Sequence, residues 1–600
     1  MVSRSSGKRS IKQSMKRAKK RNQQQSEALL GESPRDIPPD VNAQEILADS
    51  TKALSPRQKL VLERAAAARR KATIVFVVSV ALGCAFIGLL AGLLIEPKIG
   101  LSVGGALMCL ILSLKYQRLA LYSFIIYIPF AGTVTYALGG NPILQIAKDI
   151  FYIPALVGVY QFCRKNRLPI ILPKAIKPPL LFLLIVMLIT ILVTNVPDQF
   201  IHSVATNAVD QFEEPSEANL PIVMAIWGLK LMFGYIPLVA CIYYLIRNKE
   251  DMIFVLRLQA VLVLVASGLG LIQYLMLKTG MCAGTTGLGD QMFRASLQAR
   301  CFVGGSLLYS PAAGQIRLPG TFVAPWQWGW FLISAAFFSF GTTFSDKSPF
   351  WRTIGLASLV SVMVSAMISG QRIALVLVPA VVVLLTVLTG QVANLKRFVP
   401  IGIVMGFILS YLIISNPTIV ETRIASLADR WEAAPPQQFI ADQFSEVWRK
   451  QDGIFGHGVG RATNSARSFG NTQLIETYHP KLIYEIGPIG LFAVLLVYTT
   501  LTIVTFKAYR GTRDTNLRSY AASMWVFIAF MSYWPYYYPL DVDPVGVYYW
   551  LAAGIVLKIP ELERQEREKA EAAIAQALED GTLIKSKRRR SKLSRKPTFD

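Results

Sequence analysis

Charge is scarce in this chain. Of its 600 residues 16% are Asp, Glu, Lys or Arg and 53% are hydrophobic, which excludes an ordinary soluble domain and describes an integral membrane protein. Histidine occurs three times, at His202, His457 and His479. There is no His-Glu-x-x-His, no paired Cys-x-x-Cys and no P-loop. No metal site or cofactor is implied, therefore, and the lack of a nucleotide-binding motif argues against an ATP-driven pump. A secretory leader is not expected either, because the polar N-terminal stretch is far too long and no small-residue cleavage site follows the first apolar run.

Among the charges that are present, Lys and Arg number 62 against 37 Asp and Glu, a formal net charge of +25. In a soluble protein that balance would point to nucleic acid. Here the cations gather in the two tails and in alternate loops, as the positive-inside rule predicts, so topology accounts for them and nucleic acid is not an expected partner. Of the six cysteines, Cys84, Cys109, Cys163 and Cys241 sit in or beside apolar segments and read as small hydrophobes. Cys282 and Cys301 share one loop, where a disulfide and two free thiols are both open, since spacing does not establish bridging geometry.

Residues 1–72 form a basic arm, expected to be cytoplasmic and largely disordered, with its cations available to anionic lipids. Apolar segments follow at 73–95, 99–114, 119–138, 142–162, 179–196, 221–246, 252–277, 324–344, 351–369, 373–390, 398–415, 482–506, 517–537 and 544–559. The expected fold is an all-α polytopic membrane protein of 12–14 transmembrane helices, with 73–415 carrying the first eleven and 482–559 the last. With the N-terminus inside, the basic loops at Lys115/Arg118, Arg164–Arg167, Arg247/Lys249, Lys347/Arg352, Lys396/Arg397 and Lys507–Arg518 all fall on the inner face. A basic tail, 560–600, joins them, with a helix expected over 561–578. The outer face receives the loops 197–220, 278–323 and 416–481 and the aromatic turn Trp534–Asp543. The 416–481 loop is the longest polar excursion between spans. It holds Arg423, Arg430 and Trp431, a candidate amphipathic helix, the run Gly456-His457-Gly458-Val459-Gly460, and Glu476-Thr477-Tyr478-His479-Pro480 leading to Glu485-Ile486-Gly487-Pro488-Ile489-Gly490. Long segments of this composition are usually functional.

Cations on the outer face break the topological rule and carry more information. Arg372 stands in the tight turn Ser369-Gly370-Gln371-Arg372 between two apolar segments, where a guanidinium needs an anion: an acidic side chain such as Asp149, a lipid phosphate or a substrate diphosphate. Arg317, in Arg317-Leu318-Pro319-Gly320-Thr321-Phe322, precedes the next span, with Arg294 and Arg300 earlier in the same loop. Arginine's planar fork binds two phosphate oxygens at once and keeps its charge. Lys148 and Lys230 lie within apolar segments, and either one pairs with Asp149 or contacts substrate. His479 lies three residues after Glu476 and six before Glu485. It serves either as a helix-end cap or as a base, oriented by a carboxylate, that takes a proton from a hydroxyl near neutral pH. His457 reads as part of a backbone turn.

The ordered set of Arg-Leu-Pro-Gly-Thr-Phe (317–322), Ser-Gly-Gln-Arg (369–372), Gly-His-Gly-Val-Gly (456–460) and His479 followed by Gly487-Pro488-Ile489-Gly490 resembles the bacterial O-antigen ligase and polysaccharide polymerase family over about residues 73–560. That resemblance implies a GT-C-like helical fold in the bacterial inner membrane with both termini cytoplasmic. It implies metal-independent transfer of a glycan from undecaprenyl diphosphate, at the outer face, to a glycan, lipid or protein acceptor. Arg317 and Arg372 match the diphosphate-binding arginines and His479 the base, with Glu476, Glu485, Lys148, Lys230 and Arg300 as further substrate contacts. A polysaccharide or lipid-linked sugar transporter is the competing reading. It suits the number of spans, but the chain has no internal repeat, and its cations and dominant loop favour one face.

Overall fold

The computed structural model describes residues 56–140, 147–200, 219–311, 314–391, 435–451 and 453–579, with isolated helical positions between 399 and 432. The chain divides into two compact units, Ala67–Glu566 and a second containing Met1–Ala66 and Arg567–Asp600. In the second, the described residues 56–66 and 567–579 are helical.

Long apolar runs become helices because lipid offers a backbone no other partner for its N–H and C=O groups. Proline at the first helical position starts many of them, where its missing N–H costs nothing. In chain order the helices are α1 (Pro56–Leu94), α2 (Pro97–Lys115), α3 (Gln117–Ala137), α4 (Asp149–Asn166), α5 (Lys174–Phe200), α6 (Pro221–Leu245), α7 (Lys249–Lys278), α8 (Pro325–Ser345), α9 (Pro349–Ile368), α10 (Arg372–Leu388), α11 (Pro436–Lys450), α12 (Tyr478–Gly511), α13 (Thr515–Tyr533) and α14 (Val545–Glu579). Between α7 and α8 a small antiparallel hairpin pairs β1 (Leu308–Ser310) with β2 (Gln315–Arg317), Leu308 standing opposite Arg317. Among the described residues nine helices are long and apolar enough to cross a membrane, so the chain is an all-α protein built for multiple passes.

Thirteen of the fourteen expected apolar segments fall on described helices; the fourteenth, 398–415, lies mostly outside the described residues. The nine do not include α4, α8, α10 or α13. Helix α10 is short, and α8 gains much of its burial from aromatic, Gly, Ser and Thr side chains. Every α8 residue from Trp328 to Ser345 is buried, and α7, α9, α10 and α13 pack around it. At the periphery α1 and α2 meet through glycines: a methyl on Gly100 would lie 2.4 Å from the Gly88 oxygen and 2.5 Å from Gly92. This is the small-residue spacing that lets helices approach in lipid.

Two expected boundaries move. The first helix begins at Pro56, well inside the arm expected to be disordered. The last span and the tail helix are one element, α14, which runs through Pro560. The amphipathic helix of the large loop is α11, whose Phe444 and Val447 pack against Ile475 and Ile483. Arg423, Arg430, Trp431 and the basic cluster after residue 580 lie outside the described residues.

Side-chain ion pairs close one end of the bundle, where the basic loops lie. Arg118 pairs with Asp251 and Lys249 with Asp514 at 3.1 Å, while the Glu563 carboxylate accepts from the Arg513 amide at 2.7 Å and from that of Asp514. Asp346, just past α8, is the centre of this end. Its carboxylate accepts two bonds from Arg257 (2.7 and 2.8 Å), the Ser348 amide and the Tyr520 hydroxyl. Burial pushes the Asp346 carboxyl up, but these partners outweigh it and hold the group below its ordinary value of 3.8.

A depressed carboxylate stabilises the fold fully above its unfolded pKa and loses that contribution as pH falls through the folded one. Asp346→Ala should therefore cost about 3 kcal/mol at neutral pH and flatten the acid limb of the pH–stability curve below about pH 4, measured by thermal unfolding of the purified protein in detergent.

Candidate functional site

The opposite end of Ala67–Glu566 gathers the long loops, and backbone contacts join them. The Leu318 amide donates to the Ser369 carbonyl at 2.9 Å, and a methyl on Gly370, at φ +72°, would fall 1.7 Å from the Ile316 carbonyl oxygen. Only glycine fits a left-handed turn pressed so closely on a strand. The strand is β2, which ends at Arg317, and the turn runs directly into Arg372, the first residue of α10. The two motif arginines, 55 positions apart, thus sit on segments locked to each other, and both side chains are exposed. The Arg317 motif is fixed from its other side too, since Thr133 donates to the Thr321 carbonyl (3.0 Å) and Thr321 to that of Pro129 (2.5 Å).

His479 enters from the second residue of α12. Its segment pairs with the aromatic turn after α13: Tyr478 N–H donates to the Pro535 carbonyl at 2.7 Å and Tyr537 N–H to that of Glu476 at 2.9 Å. The turn reaches the start of α8 through the Trp326 and Tyr538 rings, 6.2 Å apart. His479 therefore lies at the end where α8 begins, the helix that follows the Arg317 motif. Its Nε2 is buried without a hydrogen-bond partner among the described residues, and so are Thr477 Oγ1 and Trp534 Nε1. Three such atoms on two paired segments leave hydrogen-bonding capacity that no described residue takes up. Tyr537 and Tyr538 adopt φ of +55° and +26°, a strained backbone of the kind stored at functional sites. Burial pushes the Tyr538 phenol up even though Asn464 donates to it, so it stays a neutral hydroxyl.

The glycine run is built against a break in α12. Gly487 has φ +71° and ψ +177° inside the helix, and Pro488 has no N–H to give the Tyr484 carbonyl four residues earlier. The loop supplies the missing donors: His457 N–H bonds to Tyr484 O at 2.7 Å and Gly458 N–H to Glu485 O at 3.1 Å. The expected backbone turn at His457 is what the structure contains. Asn195, fully buried on α5, clasps Val459, accepting from its amide at 2.9 Å and donating to its carbonyl at 3.1 Å.

The other sequence candidates are engaged elsewhere. Lys230 pairs with Asp149 at 2.5 Å, the pairing expected of one of these lysines, and Lys148 pairs with Asp543. Glu485 does not orient His479; its carboxylate accepts from the Ala462 amide (2.8 Å) and the Thr463 hydroxyl (2.9 Å), with Lys481 3.8 Å away. Lys481 in turn pairs with Asp541. Glu476 is fixed through its backbone, its amide donating to Gln443 at 3.2 Å. Arg300 lies 4.2 Å from the centre of the Tyr136 ring. Cys282 and Cys301 are joined in a disulfide. The pentapeptide Gly100-Leu101-Ser102-Val103-Gly104 has the spacing of a serine-hydrolase turn, but it lies inside α2, and Ser102 donates to the Lys98 carbonyl at 2.9 Å. Among the described residues no group of three or more His, Cys, Asp or Glu side chains could hold a metal ion.

Sequence reasoning missed Asn195, Lys481 and the strained tyrosines. A lysine two residues after the histidine was visible, but its acidic partner lies 60 positions away. No protein-family model matches the chain, and no curated protein does.

The lock between β2 and the Gly370 turn can be tested against a control. Gly390 has φ +69° with no atom within 4 Å of an added methyl, so Gly390→Ala should cost only the left-handed strain of about 1–2 kcal/mol. Gly370→Ala should cost about 3 kcal/mol or more, because the carbonyl must also give way. Thermal unfolding of both variants in one detergent measures the difference.

Proposed function

We propose that the chain transfers a glycan from undecaprenyl diphosphate to an acceptor hydroxyl at the outer face of a bacterial inner membrane, as a GT-C-like ligase or polymerase with both termini cytoplasmic. The observation that carries this reading is the backbone lock between the Arg317 strand and the Arg372 turn, which supports a two-arginine clamp for one anionic group. Two guanidiniums on locked segments suit a diphosphate diester, whose two negative charges are shared by four non-bridging oxygens on two phosphorus centres.

In the proposed reaction the acceptor oxygen attacks the anomeric carbon of the donor sugar. His479 Nε2 takes the hydroxyl proton as the new C–O bond forms. The bond from the anomeric carbon to the diphosphate oxygen breaks, and the diphosphate leaves on its lipid with the electron pair, its growing charge met by Arg317 and Arg372. The vacant hydrogen-bonding capacity of Nε2, together with Thr477 Oγ1 and Trp534 Nε1, supports an acceptor beside the aromatic turn. Because Glu485 faces the glycine loop, His479 acts without a carboxylate from it. The ion pairs of Lys148, Lys230 and Lys481 give these lysines a supporting role. The basic tails would hold anionic lipid on the inner face.

The test uses purified protein reconstituted with a lipid-diphosphate oligosaccharide and the products resolved on a gel. A ladder of longer glycans identifies a polymerase, and product that forms only with a separate acceptor identifies a ligase. Donor that crosses the bilayer with no transfer overturns the reading in favour of a transporter. His479→Ala should lower the rate about 10²- to 10⁴-fold at unchanged abundance. Arg372→Lys should not restore the activity lost in Arg372→Ala, since lysine lacks the two-toothed geometry.

A further inference from the structure

The segment between α7 and β1 carries an unusual surface. Met281, Phe293, Leu297 and Phe302 are 73%, 50%, 67% and 57% exposed, although the loop has a core of its own. That core consists of Tyr274, Leu277, Cys301, Leu307, Tyr309, Ile316 and Leu318. The disulfide from Cys282 to Cys301 closes the loop on this core. Apolar side chains that fail to join a core beside them are facing something else.

Phe302 makes the point most sharply. Its φ is +59°, a conformation that bulky residues adopt at a cost. Cys301 immediately before it is buried, and the strained residue turns a phenylalanine ring outward rather than in. Cations accompany the exposed rings: residues 278–302 contain Lys278, Arg294 and Arg300 against the single acid Asp290, and all three cations are exposed. The position of the loop names the partner. It begins at Lys278, the last residue of a 30-residue helix apolar enough to cross a membrane, so it emerges at the boundary between hydrocarbon and headgroups.

We propose that residues 281–302 form an interfacial lipid-docking surface: Met281, Phe293, Leu297 and Phe302 enter the upper acyl region of the leaflet while Lys278, Arg294 and Arg300 meet the phosphates of anionic lipids. Apolar rings flanked by basic residues are the composition that seats a segment in the plane of a membrane surface. The loop and β2 share one core, so the depth at which the loop seats is also the depth at which Arg317 is held. The inference needs only the membrane, and stands whether or not the chain is a transferase.

The experiment reconstitutes the full chain into nanodiscs of equal parts phosphatidylcholine and phosphatidylglycerol. The discs also contain a phospholipid with a diazirine high on its acyl chain, and labelled peptides are mapped by mass spectrometry. Label is expected on the 281–302 peptide as well as on the spans. Phe293→Ser with Leu297→Ser should lower loop labelling about tenfold, the factor set by withdrawing apolar side chains from apolar surroundings, with the spans labelled as before. An unlabelled loop beside labelled spans overturns the proposal. So does a loop that escapes label because it cross-links to a second copy. Phe302→Gly separates lipid contact from folding, because glycine is at ease at this φ. Loop labelling should fall while the thermal midpoint in detergent stays level or rises; a lowered midpoint would mean that the ring packs within the fold. Labelling indifferent to omission of phosphatidylglycerol would remove the cationic half of the proposal.

Discussion

A backbone amide or carbonyl near hydrocarbon must find a partner, and this requirement shapes the molecule. Helices meet it over most of the chain. At the loop end, where the chain leaves helical geometry, it is met by bonds between segments distant in sequence: Thr133 with Thr321, Leu318 with Ser369, His457 with Tyr484, and Tyr478 with Pro535. Each of these closures fixes a motif residue beside it. The candidate site is therefore a by-product of backbone satisfaction, and its side chains inherit positions that their own contacts do not set.

The two ends of the bundle are held by different forces. Ion pairs around Asp346, Asp514 and Asp251 close the basic end. The loop end has its own charges, in the pairs Lys230–Asp149 and Lys148–Asp543 and in Lys481 between Asp541 and Glu485. These are part-buried or buried, and removing one member would leave a neighbour uncompensated. They tie α4 to α6, and the turn before α14 to α12 and to the start of α4.

Much of the fold was legible in the sequence, because lipid makes a long apolar run and a helix nearly the same statement. The interruptions were less legible. The segment 482–506 was expected as one span, and the break in it at Gly487 is answered by donors from a loop 27 residues upstream of Tyr484. The glycine run was recognisable as a turn; that it presses on the break was not. For the site, Arg317, Arg372 and His479 were found as charges and a base in unexpected places. Their grouping at one end follows from the alternation of spans, whereas the β2–Gly370 lock is a tertiary contact with no local signal. The expected pairing of a lysine with Asp149 is present, made by Lys230, whereas Glu485 turns to the Ala462 amide and the Thr463 hydroxyl: closeness in sequence says little about which partners a carboxylate will take.

The keyed break in α12 also bears on movement. A helix held only by side-chain packing can slide or turn a few degrees as its neighbours adjust. Helix α12 gives its Tyr484 and Glu485 carbonyls to amides of another segment, and that segment is clasped by Asn195 on α5. Rotation of α12 about its own axis would tear two amide hydrogens from their acceptors in a setting with little water to replace them. The helix works as a fixed post, and any motion that admits or releases a ligand at this end must come from the parts hung around it.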